Sequence, residues 1–229
     1  MRGLVSVVIP VRNGARYLGE AIESVLDQRR QGMEVIVVDN GSTDGSPSVA
    51  ESFGSPVRLI HERVRGAAHA RNSGVSLAGG EFLAFQDADD LWAHGKLERQ
   101  INELDARQDL DMVFTHGENF LSPELTEEQR RAVSFRRGAG PFILPSAMVA
   151  RRESFLRAGP LPDLREGEFI AWYGMALSMG LRSGVIPETL IYRRVHLANS
   201  TRLAPNPRDL LQAAKMVLDH RRGTKREEG

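Results

Sequence analysis

Val5-Ser6-Val7-Val8-Ile9-Pro10-Val11-Arg12-Asn13-Gly14 is an apolar, β-branched run that breaks into turn residues, after which Leu18, Ala21, Ile22, Val25 and Leu26 recur at helical spacing. Glu34-Val35-Ile36-Val37-Val38-Asp39-Asn40-Gly41-Ser42-Thr43-Asp44 repeats the strand and its polar ending. The two runs with the helix between them read as a βαβ unit, with Asn13 placed to cap the helix. Further strands are expected at Val57 to Ile60 and Phe82 to Phe85, a second helix after Asp44 and a third from about Ala67 to Leu77. Strands apolar throughout suit a parallel sheet covered on both faces, joined by right-handed crossovers.

Outward from this unit the alternation weakens. Leu97, Ile101 and Leu104 mark a helix that would start near Trp92, and Met112 to Thr115 reads as one more strand. Residues 122 to 142, rich in charge, Gly and Pro, read as a mobile loop or lid, with a plain surface excursion as the alternative. An apolar stretch from Phe142 to Val149, a helix around Ile170 to Met179 and a short strand near Val185 follow. The expected organisation is one domain over 1–204, in two halves of 1–116 and 117–204. Residues 205–229 then form an amphipathic helix, with Leu210, Leu211, Ala214, Val217 and Leu218 on one side, and a basic tail.

The 229 residues suffice for one substantial core, and thirty basic against thirty acidic side chains argue against a nucleic-acid partner. With no cysteine, disulfides, thiolate catalysis and cysteine-bound zinc are excluded, and a reducing, cytoplasmic setting is the default expectation. The apolar run at the N-terminus is too short for a signal core, and no stretch approaches the roughly twenty apolar residues that span a bilayer.

In open parallel sheets ligands bind beyond the carboxyl ends of the strands. There lie Pro10-Val11-Arg12-Asn13-Gly14, Asp39-Asn40-Gly41-Ser42-Thr43-Asp44 and Gln86-Asp87-Ala88-Asp89-Asp90, three polar clusters that would form one site. Three carboxylates in four residues repel unless a cation neutralises them, which suits magnesium or manganese shared with phosphate oxygens; the alternative is that they cap the helix near Trp92. Asp39 is placed to accept a hydrogen bond from a pyrimidine imide. Arg71 stands among small residues on the third helix, either for a ligand or in an ion pair.

Four segments in this order, Val5 to Asn13, Glu34 to Asp44, Ala70-Arg71-Asn72-Ser73-Gly74 and Phe85-Gln86-Asp87-Ala88-Asp89-Asp90, closely resemble the family 2 glycosyltransferases of the GT-A fold. The resemblance implies an α/β, Rossmann-like, mostly parallel central sheet flanked by helices, with a smaller acceptor-side lobe. It also implies a nucleotide-sugar donor site built from Pro10, Val11, Asn13, Asp39, Arg71, Asp87, Ala88 and Asp89, with Asp87-Ala88-Asp89 as the family's Asp-X-Asp motif for a divalent metal, manganese or magnesium, and the diphosphate.

Further on, Gly167-Glu168-Phe169 resembles the family's Gly-Glu-Asp segment, but the usual catalytic Asp aligns with Phe169, leaving Glu168 and its neighbour Glu166 as candidate bases. Tyr192-Arg193-Arg194-Val195-His196-Leu197-Ala198-Asn199 resembles the family's Arg-X-His-X-X-Asn element, which places His196 near the metal. The expected activity is metal-dependent, inverting transfer of a sugar, from a UDP-sugar by preference, to an acceptor hydroxyl. A non-catalytic sugar-nucleotide module and a nucleotidyltransferase are the alternatives; a dehydrogenase fits least, because no Gly-X-Gly-X-X-Gly follows the first strand. The acceptor class stays open between glycan, lipid-linked, peptide and small molecule, as do a homodimer and a peripheral contact of the C-terminal helix with the inner membrane face.

Overall fold

The structure is a computed structural model that describes residues 3–133, 135, 137–197, 211, 212 and 214–218. In chain order its elements are β1 (Val5–Val11), α1 (Ala15–Leu26), β2 (Met33–Asp39), α2 (Ser46–Ser52), β3 (Val57–His61), α3 (Ala67–Leu77), β4 (Phe82–Phe85), β5 (Leu91–Trp92) and α4 (Lys96–Ala106). Then come β6 (Met112–Leu121), α5 (Glu127–Ala132), β7 (Gly140–Pro141), a 3-10 turn (Pro145–Ala147), β8 (Val149–Arg151), α6 (Arg152–Arg157), α7 (Glu168–Ser178) and β9 (Ser183–Val195).

The sheet runs β3-β2-β1-β4-β8-β6-β9-β5, with β7 on β6. Its first four strands are parallel, as their apolar runs require, and antiparallel partners enter only after β4. Helix α1 buries Leu18, Ala21, Ile22 and Val25, the stripe its spacing encodes. On α3 the small residues serve close packing on β1: a Cβ on Gly74 would lie 2.3 Å from Val8 Cγ1. One buried cluster continues from Val5 to Ile191 and so draws on both halves of the chain.

Several expectations change. Asn13 does not cap α1: it adopts φ 53°, Gly14 takes the N-cap position, and the first-turn N–H of Ala15 is met by Asp44 Oδ2 at 3.0 Å. Leu91 and Trp92 form a strand paired with β9, and the helix begins only at Lys96 after Gly95 with φ 80°. The acids at 87–90 therefore do not cap it. The 122–142 segment contains α5, closed by a capping box between Thr126 and Gln129, and β7. Leu125 and Val133 bury against Val195, with Leu121 and Phe135 alongside, so this segment is anchored on the end of β9. The strand expected near Val185 is the start of a thirteen-residue strand that bulges against β6 around His116.

The helical residues 211, 212 and 214–218 pack on α7: Met216 meets Leu164 and Ala171, and Val217 lies over Gly174. Leu211 and Leu218 stay exposed. Leu210, the basic residues Arg221, Arg222, Lys225 and Arg226, the Ala198-Asn199 part of the His196 motif and the 204/205 boundary lie outside the described residues.

Lys96 is fully buried, its Nζ 4.0 Å from the centre of the Trp92 ring and without a hydrogen-bond partner among the described residues. Burial holds its pKa well below the ordinary lysine value. Lys96→Met is therefore expected to raise the melting temperature at neutral pH, since methionine fills the volume without an unpaired amine. Because the folded pKa is depressed, the unfolded chain binds the extra proton between the folded and ordinary values, and wild-type stability rises with pH through that window. Melting curves from pH 7 to 10 should show the advantage of the variant shrinking; a constant or growing advantage would contradict this account.

Candidate functional site

The loops after β1, β2 and β4 meet at the carboxyl edge of the sheet, where Gly14 lies against Ala88. Asn13 joins the first two loops: its N–H donates to Ser42 Oγ (3.0 Å) and its side-chain oxygen accepts from Thr43 N–H (2.7 Å). Ser46 Oγ accepts from Gly14 N–H at 3.0 Å. Pro10 and Val11 stand beside Val38 and Asp39 on β2; Val11 is buried and its carbonyl accepts from Asn40 N–H. Asn40 in turn donates to the carbonyls of Glu62 and Val64 and accepts from Gly66 N–H, which fixes the loop that leads into α3.

Asp39, buried at the end of β2, accepts from Ser42 N–H at 3.2 Å and lies 3.3 Å from His61 Nδ1 at the end of the neighbouring β3. The buried Arg71 guanidinium bridges two carboxylates: Nη2 donates to Asp87 Oδ1 (2.7 Å) and Nη1 to Glu168 Oε1 (2.9 Å). Burial alone would lower its pKa, but Asp87 and Glu168 outweigh this and raise it. Arg71 thus holds the loop after β4 and the first residue of α7 in one geometry. Asp89 Oδ2 meets His196 Nε2 at 2.9 Å, and its carbonyl accepts from Arg194 Nε at 3.0 Å.

Asp90, 2% exposed, takes no part in the open site: its Oδ1 accepts from Arg194 N–H, and burial, with Asp89 and Asp87 nearby, pushes its pKa well up. The repulsion among the three acids is therefore met by protein groups: Arg71 on Asp87, His196 on Asp89, and desolvation of Asp90. Asp87 and Asp89 remain 30% exposed at the side chain. Among the described residues no group of three His, Asp or Glu side chains converges as a closed metal cage.

Phe169 is buried among Phe114, Trp172 and Tyr173, so the position next to Glu168 belongs to the core. The partner of Glu168 is the Arg71 cation. Glu166 is half-buried two residues away. Sequence reasoning missed Tyr17, Glu20, His61 and Glu124. Tyr17 contacts His196 and Arg194 and donates to Glu124, and Glu20 pairs with Arg194 at 2.6 Å. Strand alternation gave a signal for Arg194, which shares a face with His196 two residues on; the partners on α1 gave none.

The model of the family described as Glycosyl transferase family 2 matches residues 6–156. Glycosyltransferase GlyG of Streptococcus pneumoniae is 32% identical over 177 residues, 68% of this chain and 59% of that protein. An uncharacterised glycosyltransferase of Nostoc is 31% identical over 217 residues, 86% of this chain and 66% of its own. Among solved structures, Staphylococcus aureus TarS 1–349 in complex with UDP-GlcNAc superposes with a TM-score of 0.76 at 18% identity, covering 95% of this chain and 66% of that one. Mannosyltransferase PcManGT of Pyrobaculum calidifontis, in complex with GDP-Man and Mn2+, gives 0.66 at 25% identity, covering 93% and 64%.

Proposed function

The chain belongs to glycosyl transferase family 2, and we propose from this that it transfers a sugar from a nucleotide diphosphate sugar, by preference a UDP-sugar, to an acceptor hydroxyl with inversion. The observation that carries the reading is the arrangement at the sheet edge: Arg71 holds Asp87 and His196 meets Asp89 while both carboxylates stay 30% exposed, and Arg71 ties Asp87 to Glu168. The donor set suits magnesium or manganese, which bind through one or two carboxylates and complete their shell with phosphate and water oxygens. Asp87 and Asp89 would hold the ion, with His196 beside them. When bound, it offsets the charge that develops on the leaving diphosphate.

The chain's own residues supply the rest. Asp39 presents a buried carboxylate to the base, fixed by Ser42 and His61, and this supports the preference for uracil. PcManGT, bound to GDP-Man, makes the guanine donor the comparison to run. Glu168 accepts the proton of the attacking hydroxyl on Oε2 while Oε1 stays on Arg71. The buried Phe169 favours a second reading, a module that binds the sugar nucleotide without transferring it. Release of UDP from a UDP-sugar, measured with and without manganese, separates the two. Among the described residues no helix is long and apolar enough to cross a membrane.

Asp89→Ala is expected to abolish manganese-dependent binding of UDP in calorimetry and to lower turnover by roughly 10²–10³-fold, the order of one lost electrostatic stabiliser. The fold should survive, because the Asp89 side chain is 30% exposed and one hydrogen bond to it contributes only about 1 kcal/mol. Full turnover in excess chelator would refute the metal requirement, and a collapse of the melting temperature would mark Asp89 as structural.

A further inference from the structure

One aromatic side chain outside the expected site touches two groups that hold Asp89. Tyr17, in the first turn of α1, lays its ring against the His196 imidazole, with centroids 4.6 Å apart and planes at 42°. The Arg194 guanidinium carbon lies 4.8 Å from the same ring centre. His196 binds the Asp89 carboxylate and Arg194 its carbonyl. The Tyr17 hydroxyl donates to Glu124, which also accepts from Ser122, while Arg16 lies 3.6 Å away. Ser122 N–H in turn donates to the carbonyl of Val195, the residue before His196.

We propose that Tyr17 is a positioning residue that orients His196 on Asp89 and, through its hydroxyl on Glu124, joins the 121–133 segment of the acceptor-side half to the Asp87-Ala88-Asp89 motif. The inference rests on the donor-site reading above. A tilted ring beside an imidazole restricts its rotation, because aromatic pairs prefer such offset geometries. The hydroxyl fixes the tyrosine in turn. Burial and Glu124 both raise the Tyr17 pKa, so it remains a donor. Burial would raise the pKa of Glu124, but the hydroxyls of Ser122 and Tyr17 outweigh it and hold the carboxyl at about 2, so it remains an ionised acceptor. Ring and hydroxyl thus have separable tasks: the ring serves the Asp87-Ala88-Asp89 motif and the hydroxyl carries its state to the 121–133 segment.

Wild type, Tyr17→Phe, Tyr17→Leu and Glu124→Gln are to be compared in two readouts: calorimetric binding of UDP in manganese, and amide hydrogen exchange of residues 121–133 with and without that ligand. Tyr17→Phe keeps the ring and should bind UDP within about twofold of wild type, while losing the ligand-induced protection of 121–133. Tyr17→Leu should weaken UDP by at least about fivefold, the order of one aromatic pair. The double variant of Tyr17→Phe with Glu124→Gln should change protection no further than either single change, as coupled partners do. Unaltered UDP affinity in Tyr17→Leu, or wild-type protection in Tyr17→Phe, overturns the proposal while the donor site stands. Failure of wild type to bind either UDP or GDP in manganese overturns the donor-site reading and this inference together.

Discussion

Glu168→Gln should lower turnover by roughly 10²–10⁴-fold, the range of one lost general base, while UDP-sugar affinity in manganese stays within about threefold of wild type. The amide oxygen of glutamine can still accept from Arg71 Nη1, so the contact that places α7 against the loop after β4 is kept and only the proposed proton acceptor is removed. Side-chain volume and burial are almost unchanged, so the melting temperature should hold. Glu166→Gln provides the comparison, with near-normal turnover expected because, among the described residues, the Arg71 bridge runs to Asp87 and Glu168. Saturating donor and metal are needed in both assays, so that the loss is read in kcat. Should both variants transfer sugar at the wild-type rate, neither glutamate is the base, and the buried Phe169 would then favour a protein that binds its donor without transferring it.

The parts of the fold that local pattern could reach were those built from continuous signals. The apolar runs of β1, β2 and β4 and the stripe of α1 read directly, because burial on both sheet faces or on one helix face leaves a period in the chain. Strand β9 did not, since Pro187 and Glu188 interrupt its apolar residues and its pairing with β6 is carried across a bulge. Gly95, in the left-handed region, separates Trp92 from α4 and was the punctuation that the helical spacing of Leu97, Ile101 and Leu104 concealed. Thr126 and Gln129 did carry a signal for α5, a capping box overlooked amid the charge of its surroundings. The site divides the same way. Its loops were visible as polar breaks at strand ends, whereas the partners of Arg71 and His196 come from segments far apart in sequence, which no local pattern encodes.

Arg71→Met should both destabilise the protein and disable it, with the larger structural effect of the substitutions considered. Asp87 and Glu168 share one buried guanidinium, and its removal leaves Glu168 in a poorly solvated place, and the part-exposed Asp87 beside it, without that counter-charge. Breaking a buried pair on one side typically costs about 3–5 kcal/mol, far more than the intact pair contributes against an apolar replacement. For a chain of this size that corresponds to a fall in melting temperature on the order of 10 °C. Arg71→Lys should rescue little, because one ammonium cannot reproduce two divergent N–H donors reaching separate acceptors. The diagnostic variant is Arg71→Met combined with Glu168→Gln: neutralising the second carboxylate should restore part of the lost stability and none of the turnover. Thermal melts and donor turnover on the same four proteins separate these contributions. If Arg71→Met melts with wild type, the bridge does not hold α7 to the metal loop, and the placement of Glu168 beside the donor loses its physical support.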